Sequence, residues 1–185
     1  RIGENSIAHK YYMESQKYTN NYDIYQNYMC NLSYISDDLK SIYDEHRKYT
    51  KKFDNKSNHT FLEKQKNKVN NKIRVGYFSP DFRVHSVAFF FNQLLCNHNK
   101  DKFDIILYSN RSGRPDEITS HFKSTSTKWR DVQDLNDDQI IKLIQNDNIN
   151  ILVDLIGNFA GGRSTIFARK PAPIQINYLG YVTTT

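Results

Sequence analysis

Two cysteines are all that 185 residues hold, and Cys30 and Cys96 fall in different segments. They form no CxxC pair and no zinc-ligand spacing, which excludes a disulfide framework and a cysteine metal centre and fits a reducing compartment. No apolar run approaches the ~20 residues needed to cross a bilayer, so no membrane partner is expected. No secretory signal opens the chain; it starts at Arg1 rather than Met and stops at Thr185 in mid-pattern, so both true ends stay open. The seven glycines include neither a GxGxxG fingerprint nor a P-loop, which counts against a generic dinucleotide-binding protein. The formal net charge is +6, but Lys64, Lys66, Lys68 and Lys72 are scattered among asparagines and build no face interleaved with aromatics. A basic balance of that kind is not a nucleic-acid footprint, and no nucleic-acid partner is expected.

What the chain does have is unevenly distributed. Asn, Lys and Tyr dominate residues 1–71, whereas Ile, Val, Leu and Phe concentrate after Lys72. This predicts a helical leader and polar linker over 1–71, the end of a repeat array lying upstream, and a globular lobe over 72–185. Residues 1–20 are compatible with one helix. Over 36–53, Leu39, Ile42, Tyr43, His46, Tyr49 and Phe53 recur at helical spacing, with Ser36 as a cap and Asp37 and Asp38 in the first turn. His46 lies on the apolar face and is expected to be a satisfied core histidine. Residues 54–71 lack a period and read as linker.

From Lys72 the rhythm alternates. Strands are predicted at 73–78, 103–109, 128–132, 150–156 and 174–179. Helices are predicted at 87–97, at 115–123 with Pro115 in the first turn, at 135–146 with Asn136 as cap, and at 164–169. Continuous apolar strands separated by helices predict an α/β fold, a Rossmann-like parallel sheet of about five strands. In such a sheet ligands bind beyond the carboxyl ends of the strands. Four loops converge there: SPDFRVHS (79–86), SNRSGRP (109–115), GNFAGGR (157–163) and GYVTTT (180–185). Asp81 and His85 stand four apart, just before a helix. Either Asp81 orients the imidazole and raises its basicity, making His85 a general acid or base, or Asp81 only shapes a turn and His85 only caps the helix. Arg111 and Arg114 are candidates for an anionic group. Asp154 interrupts an apolar strand, either at the sheet's edge or hydrogen-bonded.

The blocks KIRVGYFSPDFRVHSVAFFF, WRDV, NINILVDLIG and ARKPAPIQINYLGY, in that order, resemble the amino-terminal catalytic lobe of O-GlcNAc transferases and SPINDLY-type O-fucosyltransferases. The resemblance covers about 72–185, and DEHRKY (44–49) resembles the helical entry to the same region. It implies the first lobe of a two-lobed GT-B glycosyltransferase, cut off before its second lobe and by itself inactive. It implies an inverting reaction without metal or other cofactor, a nucleotide-sugar co-substrate, tetratricopeptide repeats upstream, and protein substrates bearing Ser or Thr in the cytoplasm or nucleus. Residue by residue, Asp81 and His85 match the Asp and His of the family's active-site loop. Ser86 and Val87 fall where the animal enzymes have Pro and Thr beside the donor; Gly157 lies in the cleft, and Leu179 and Gly180 match its LG step. The HSV form of the loop is closer to SPINDLY-type and bacterial members than to the animal HPT form, and Val182 replaces the usual proline. UDP-GlcNAc is the favoured donor, with GDP-fucose or a non-catalytic protein-binding role as alternatives. Nothing in the sequence specifies an oligomeric state.

Overall fold

The computed structural model describes residues 4–53, 72–159 and 161–180. The expected linker at 54–71 and the last five residues of the GYVTTT loop lie outside them. Three helices come first: α1 (Asn5–Ser15), α2 (Tyr22–Ile35) and α3 (Leu39–Phe53). α2 has no counterpart among the expected elements. Asn21 caps it by accepting from the Asp23 amide, and Tyr25, Tyr28, Met29 and Leu32 give it a buried stripe that meets Tyr49 of α3. Half of that stripe is tyrosine, whose polar tips hide the period. His46 is 4% exposed and its Nδ1 lies 2.7 Å from the Ile42 carbonyl, which makes it the core histidine expected. Among the described residues no helix is long and apolar enough to cross a membrane.

The rest alternates β1 (Ile73–Ser79), α4 (Ser86–Cys96), β2 (Phe103–Ser109), α5 (Glu117–Thr125), β3 (Lys128–Asp131), α6 (Asp137–Asn146), β4 (Ile151–Asp154), α7 (Ser164–Ala168) and β5 (Ile174–Asn177). All four strand pairings are parallel, and the sheet order is β3-β2-β1-β4-β5. The α/β Rossmann-like expectation therefore holds. α5 starts two residues later than expected: Asp116, not a proline-led first turn, caps it, and Pro115 stays outside. α6 begins with a capping box, in which Asn136 accepts from the Gln139 amide and Gln139 returns the bond to the Asn136 amide.

The period of two along the strands divides the core. Val75, Tyr77, Ile105, Leu107 and Val153 face α4 and α5, where Phe91 and Phe122 are fully buried. Phe78, Ile106, Tyr108 and Leu152 face the other way, onto Ile140, Ile141 and Ile144 of α6 and Ile166 of α7. Each large side chain so buried contributes roughly 1.5–3 kcal/mol. The order reverses between β1 and β4, so the crevice of this topology opens there.

Candidate functional site

Two of the four loops expected at the carboxyl edge are described in full and a third but for residue 160, and the described parts interlock there. The Asn110 amide donates to the Ser79 carbonyl at 3.2 Å, and Asn110 Nδ2 donates to the Gly161 carbonyl at 3.0 Å. Loops after β1, β2 and β4 are thereby joined across the switch point. Arg163 closes the far side, donating to Asp137 and to the Leu135 carbonyl. Gly180, in the step after β5, packs directly on the backbone of Ile156. The leader touches this assembly as well: Gln26 of α2 is fully buried with its amide against Gly162.

Within the first loop, Ser79 Oγ accepts from the Asp81 amide at 2.9 Å, which turns the chain sharply out of β1. Asp81 is nearly buried, and one of its oxygens accepts from Arg83 Nη2 at 3.0 Å and Nε at 3.3 Å. Its other oxygen, Oδ2, stands 3.6 Å from His85 Nδ1, just outside hydrogen-bond reach. His85 is the N-cap of α4: its backbone is extended and its Nδ1 accepts from the Val87 amide at 3.3 Å. Asp81 and His85 are thus brought together, and His85 also does the capping that was the alternative to chemistry. Ser86 is exposed as the first residue of α4, and Val87 is half-buried against the core.

The other expected cleft residues lie in the loops after β4 and β5. Gly157 is buried at φ +62, in the left-handed region where glycine is unstrained. Leu179 holds φ +65 and packs on the α4-side core, so the LG step carries backbone strain that its burial offsets. Of the two readings of Asp154, the hydrogen-bonded one holds: β4 lies inside the sheet, with Asp154 in register with Phe78 on one side and Asn177 on the other, and its Oδ1 accepts from the Ile156 and Gly157 amides at 2.9 and 3.0 Å. Burial pushes its carboxyl above the ordinary range, against the pull of those two amides. Arg111 is not a free anion receptor: its Nη1 donates to the Gly113 carbonyl and its Nη2 lies 3.9 Å from Asp116.

Sequence reasoning missed the residues that hold the His85 loop in place. Asp116 Oδ2 accepts from the Val84 amide at 2.9 Å and its Oδ1 from the Thr119 amide at 2.9 Å. Thr119 Oγ1 in turn donates to the Phe82 carbonyl at 2.8 Å. The pair clamps both sides of Arg83 onto α5. Partial desolvation pushes the Asp116 carboxyl up, but the Thr119 and Val84 amides outweigh it and hold it at about 2. The D-x-x-T spacing was a capping signal in the sequence; its reach of 32 residues back to Val84 was not. Asp116→Ala is expected to cost about 0.5–2 kcal/mol of stability, the range of a lost N-cap. Urea denaturation measures it, and a midpoint equal to wild type would show that the clamp carries no weight.

Residues 30–185 match the model of glycosyltransferase family 41. The chain is 34% identical over 168 residues to a protein of Hordeum vulgare named probable UDP-N-acetylglucosamine–peptide N-acetylglucosaminyltransferase SPINDLY, covering 86% of this chain and 17% of that one. It is 33% identical over 114 residues to a protein of Arabidopsis thaliana named probable UDP-N-acetylglucosamine–peptide N-acetylglucosaminyltransferase SEC, covering 62% and 12%. Among solved structures it superposes on a mutant O-GlcNAc transferase of Thermobaculum terrenum with a TM-score of 0.80 at 26% identity, covering 88% of this chain and 31% of that one. The chain therefore spans less than a fifth of the length of those curated relatives.

Proposed function

Because the chain belongs to glycosyltransferase family 41, we propose that its α/β region serves as the first lobe of a protein O-glycosyltransferase. The reaction moves a sugar from a nucleotide donor to Ser or Thr hydroxyls, GlcNAc from UDP-GlcNAc being favoured. The observation that carries this reading is the Asp81–His85 loop, clamped at the carboxyl edge beside the switch point where an open parallel sheet binds its ligands.

The chemistry asked of the site is an in-line displacement. The acceptor oxygen bonds to the anomeric carbon with inversion, and the bond from that carbon to the diphosphate oxygen breaks. The hydroxyl proton needs an acceptor. Asp81 Oδ2 offers one, since Oδ1 is taken by Arg83 and Oδ2 holds no hydrogen bond among the described residues. No metal is required by this scheme; positioning and stabilisation of the leaving charge carry the rate. The relatives' names favour UDP-GlcNAc. One resemblance favours GDP-fucose instead: the His85-Ser86-Val87 form of the loop is closer to SPINDLY-type and bacterial members than to the animal enzymes.

Intact-mass analysis of a Ser/Thr-bearing protein, incubated with the full-length chain and each donor separately, tests both. A GlcNAc-sized increment is expected from UDP-GlcNAc. A fucose-sized increment would instead assign the donor to the second reading. No increment with either donor, from folded protein, would leave a non-catalytic binding module.

A further inference from the structure

We propose that His85 acts through Nε2–H as a hydrogen-bond donor to substrate, and not as the reaction's proton acceptor. The inference rests on the transferase reading above and assigns a role within that site. Its basis is the cap. A backbone amide can only donate, so Nδ1 of His85 must present its lone pair to the Val87 N–H. A neutral imidazole carries one proton, and with Nδ1 accepting, that proton sits on Nε2. The group that would draw it to Nδ1 instead is the Asp81 carboxylate. Asp81 Oδ2 stands at 3.6 Å, outside hydrogen-bond reach, while Arg83 holds the other oxygen.

Nε2 lies across the ring from the cap, and among the described residues it has no hydrogen-bond partner. The side chain is 35% exposed at the carboxyl edge, so a ligand in the crevice can reach it. For Nε2 to accept a proton, the ring would first have to carry its proton on Nδ1. That tautomer turns the cap into two N–H groups facing each other and leaves the first turn of α4 with an unsatisfied amide. The helix thus selects the tautomer, and the tautomer selects the role. A fixed N–H stabilises an oxygen that gains negative charge, which in this reaction is an oxygen of the nucleotide sugar as its diphosphate leaves. The acceptor's proton then falls to Asp81.

Two substitutions separate the ring's two nitrogens. Asn places a side-chain oxygen near Nδ1, keeping the cap and deleting the cleft donor. Gln places its amide nitrogen near Nε2 and gives up the cap. In the full-length chain, His85→Gln is expected to keep the initial transfer rate within about tenfold, and His85→Asn to lose roughly a hundredfold or more, the scale of one preorganised donor. Thermal midpoints should rank the other way. A purely structural histidine would make Asn the better replacement in both assays, so equal rates, or Asn ahead, would overturn the assignment. Independently, ¹⁵N-histidine NMR at alkaline pH should show the His85 resonance, identified by its loss in His85→Asn, with the proton on Nε2. A proton on Nδ1 would sink it. Wild-type protein that transfers neither sugar defeats the transferase reading, and the spectrum then decides the tautomer alone.

Discussion

A single added methyl at Gly180 is expected to unseat the last strand from the site. The Cβ of Gly180→Ala would lie 2.5 Å from the carbonyl carbon and oxygen of Ile156 and 2.6 Å from its Cα. All three are backbone atoms at the mouth of the β4 loop, so no side-chain rotation can relieve the contact. Overpacking typically costs 1–3 kcal/mol, and a backbone-on-backbone clash belongs at the upper end, about 3 kcal/mol. The alternative is for the step at 179–180 to lift away, carrying Leu179 out of its strained seat on the core. Gly113→Ala provides the comparison. Gly113 has φ +88 but open space around it, so it suffers only left-handed strain, about 1 kcal/mol. Urea denaturation of both variants should show the difference. Equal midpoints would mean that the β5 exit is not packed as described.

The second large effect lies under the sheet's edge. Asp147 is 5% exposed and ends α6, where it gathers three donors from neighbouring strands. Arg130 reaches it through Nη2 at 2.6 Å and Nε at 3.0 Å, Lys128 Nζ at 3.1 Å, and Tyr108 Oη at 2.9 Å. Removing one member of a buried, hydrogen-bonded ion pair typically costs 3–5 kcal/mol, because the other is left unpaired. Arg130 and Lys128 are partly exposed, at 29% and 48%, and water relieves some of that loss. Asp147→Ala is therefore expected to cost about 3 kcal/mol at neutral pH.

The pH dependence gives a second readout. Burial pushes the Asp147 carboxyl up, but the bonds from Arg130, Tyr108 and Lys128 outweigh it and hold it below the ordinary value of 3.8. A carboxyl depressed in the folded state contributes its stability above the unfolded value, and that contribution is lost as pH falls through the folded value. The gap between wild type and Asp147→Ala should therefore be widest near neutrality and close in acid, below 3.8. A gap that does not change with pH would show that the loss is one of packing, not of charge.

Local chemistry explains what could be read in advance. Strands from 73, 103 and 174 begin where β-branched and aromatic runs begin, and α6 carries its cap and its Ile140–Ile141–Ile144 stripe in plain spacing. Elements whose signal was diluted were harder. α2 buries tyrosines and a glutamine, and Pro115 looked like a first helical residue until Asp116 took the cap. Asp81 and His85 were visible as a pair because they are four residues apart. Their partnership was not: the carboxylate turned to Arg83 and the imidazole to the Val87 amide, each satisfying the nearest backbone or charge first.

The sequence by itself determined the parallel α/β lobe, the loop bearing Asp81 and His85, and the family, because each depends on neighbours within a few residues or on a contiguous motif. Tertiary structure alone decided which loops meet. Asp116 to Val84, Asn110 to Gly161, Gly180 to Ile156 and Gln26 to Gly162 join residues 24 to 136 apart. Nothing local in the chain encodes such distances. They follow only once the strands have taken the order β3-β2-β1-β4-β5 and brought their carboxyl ends to one edge.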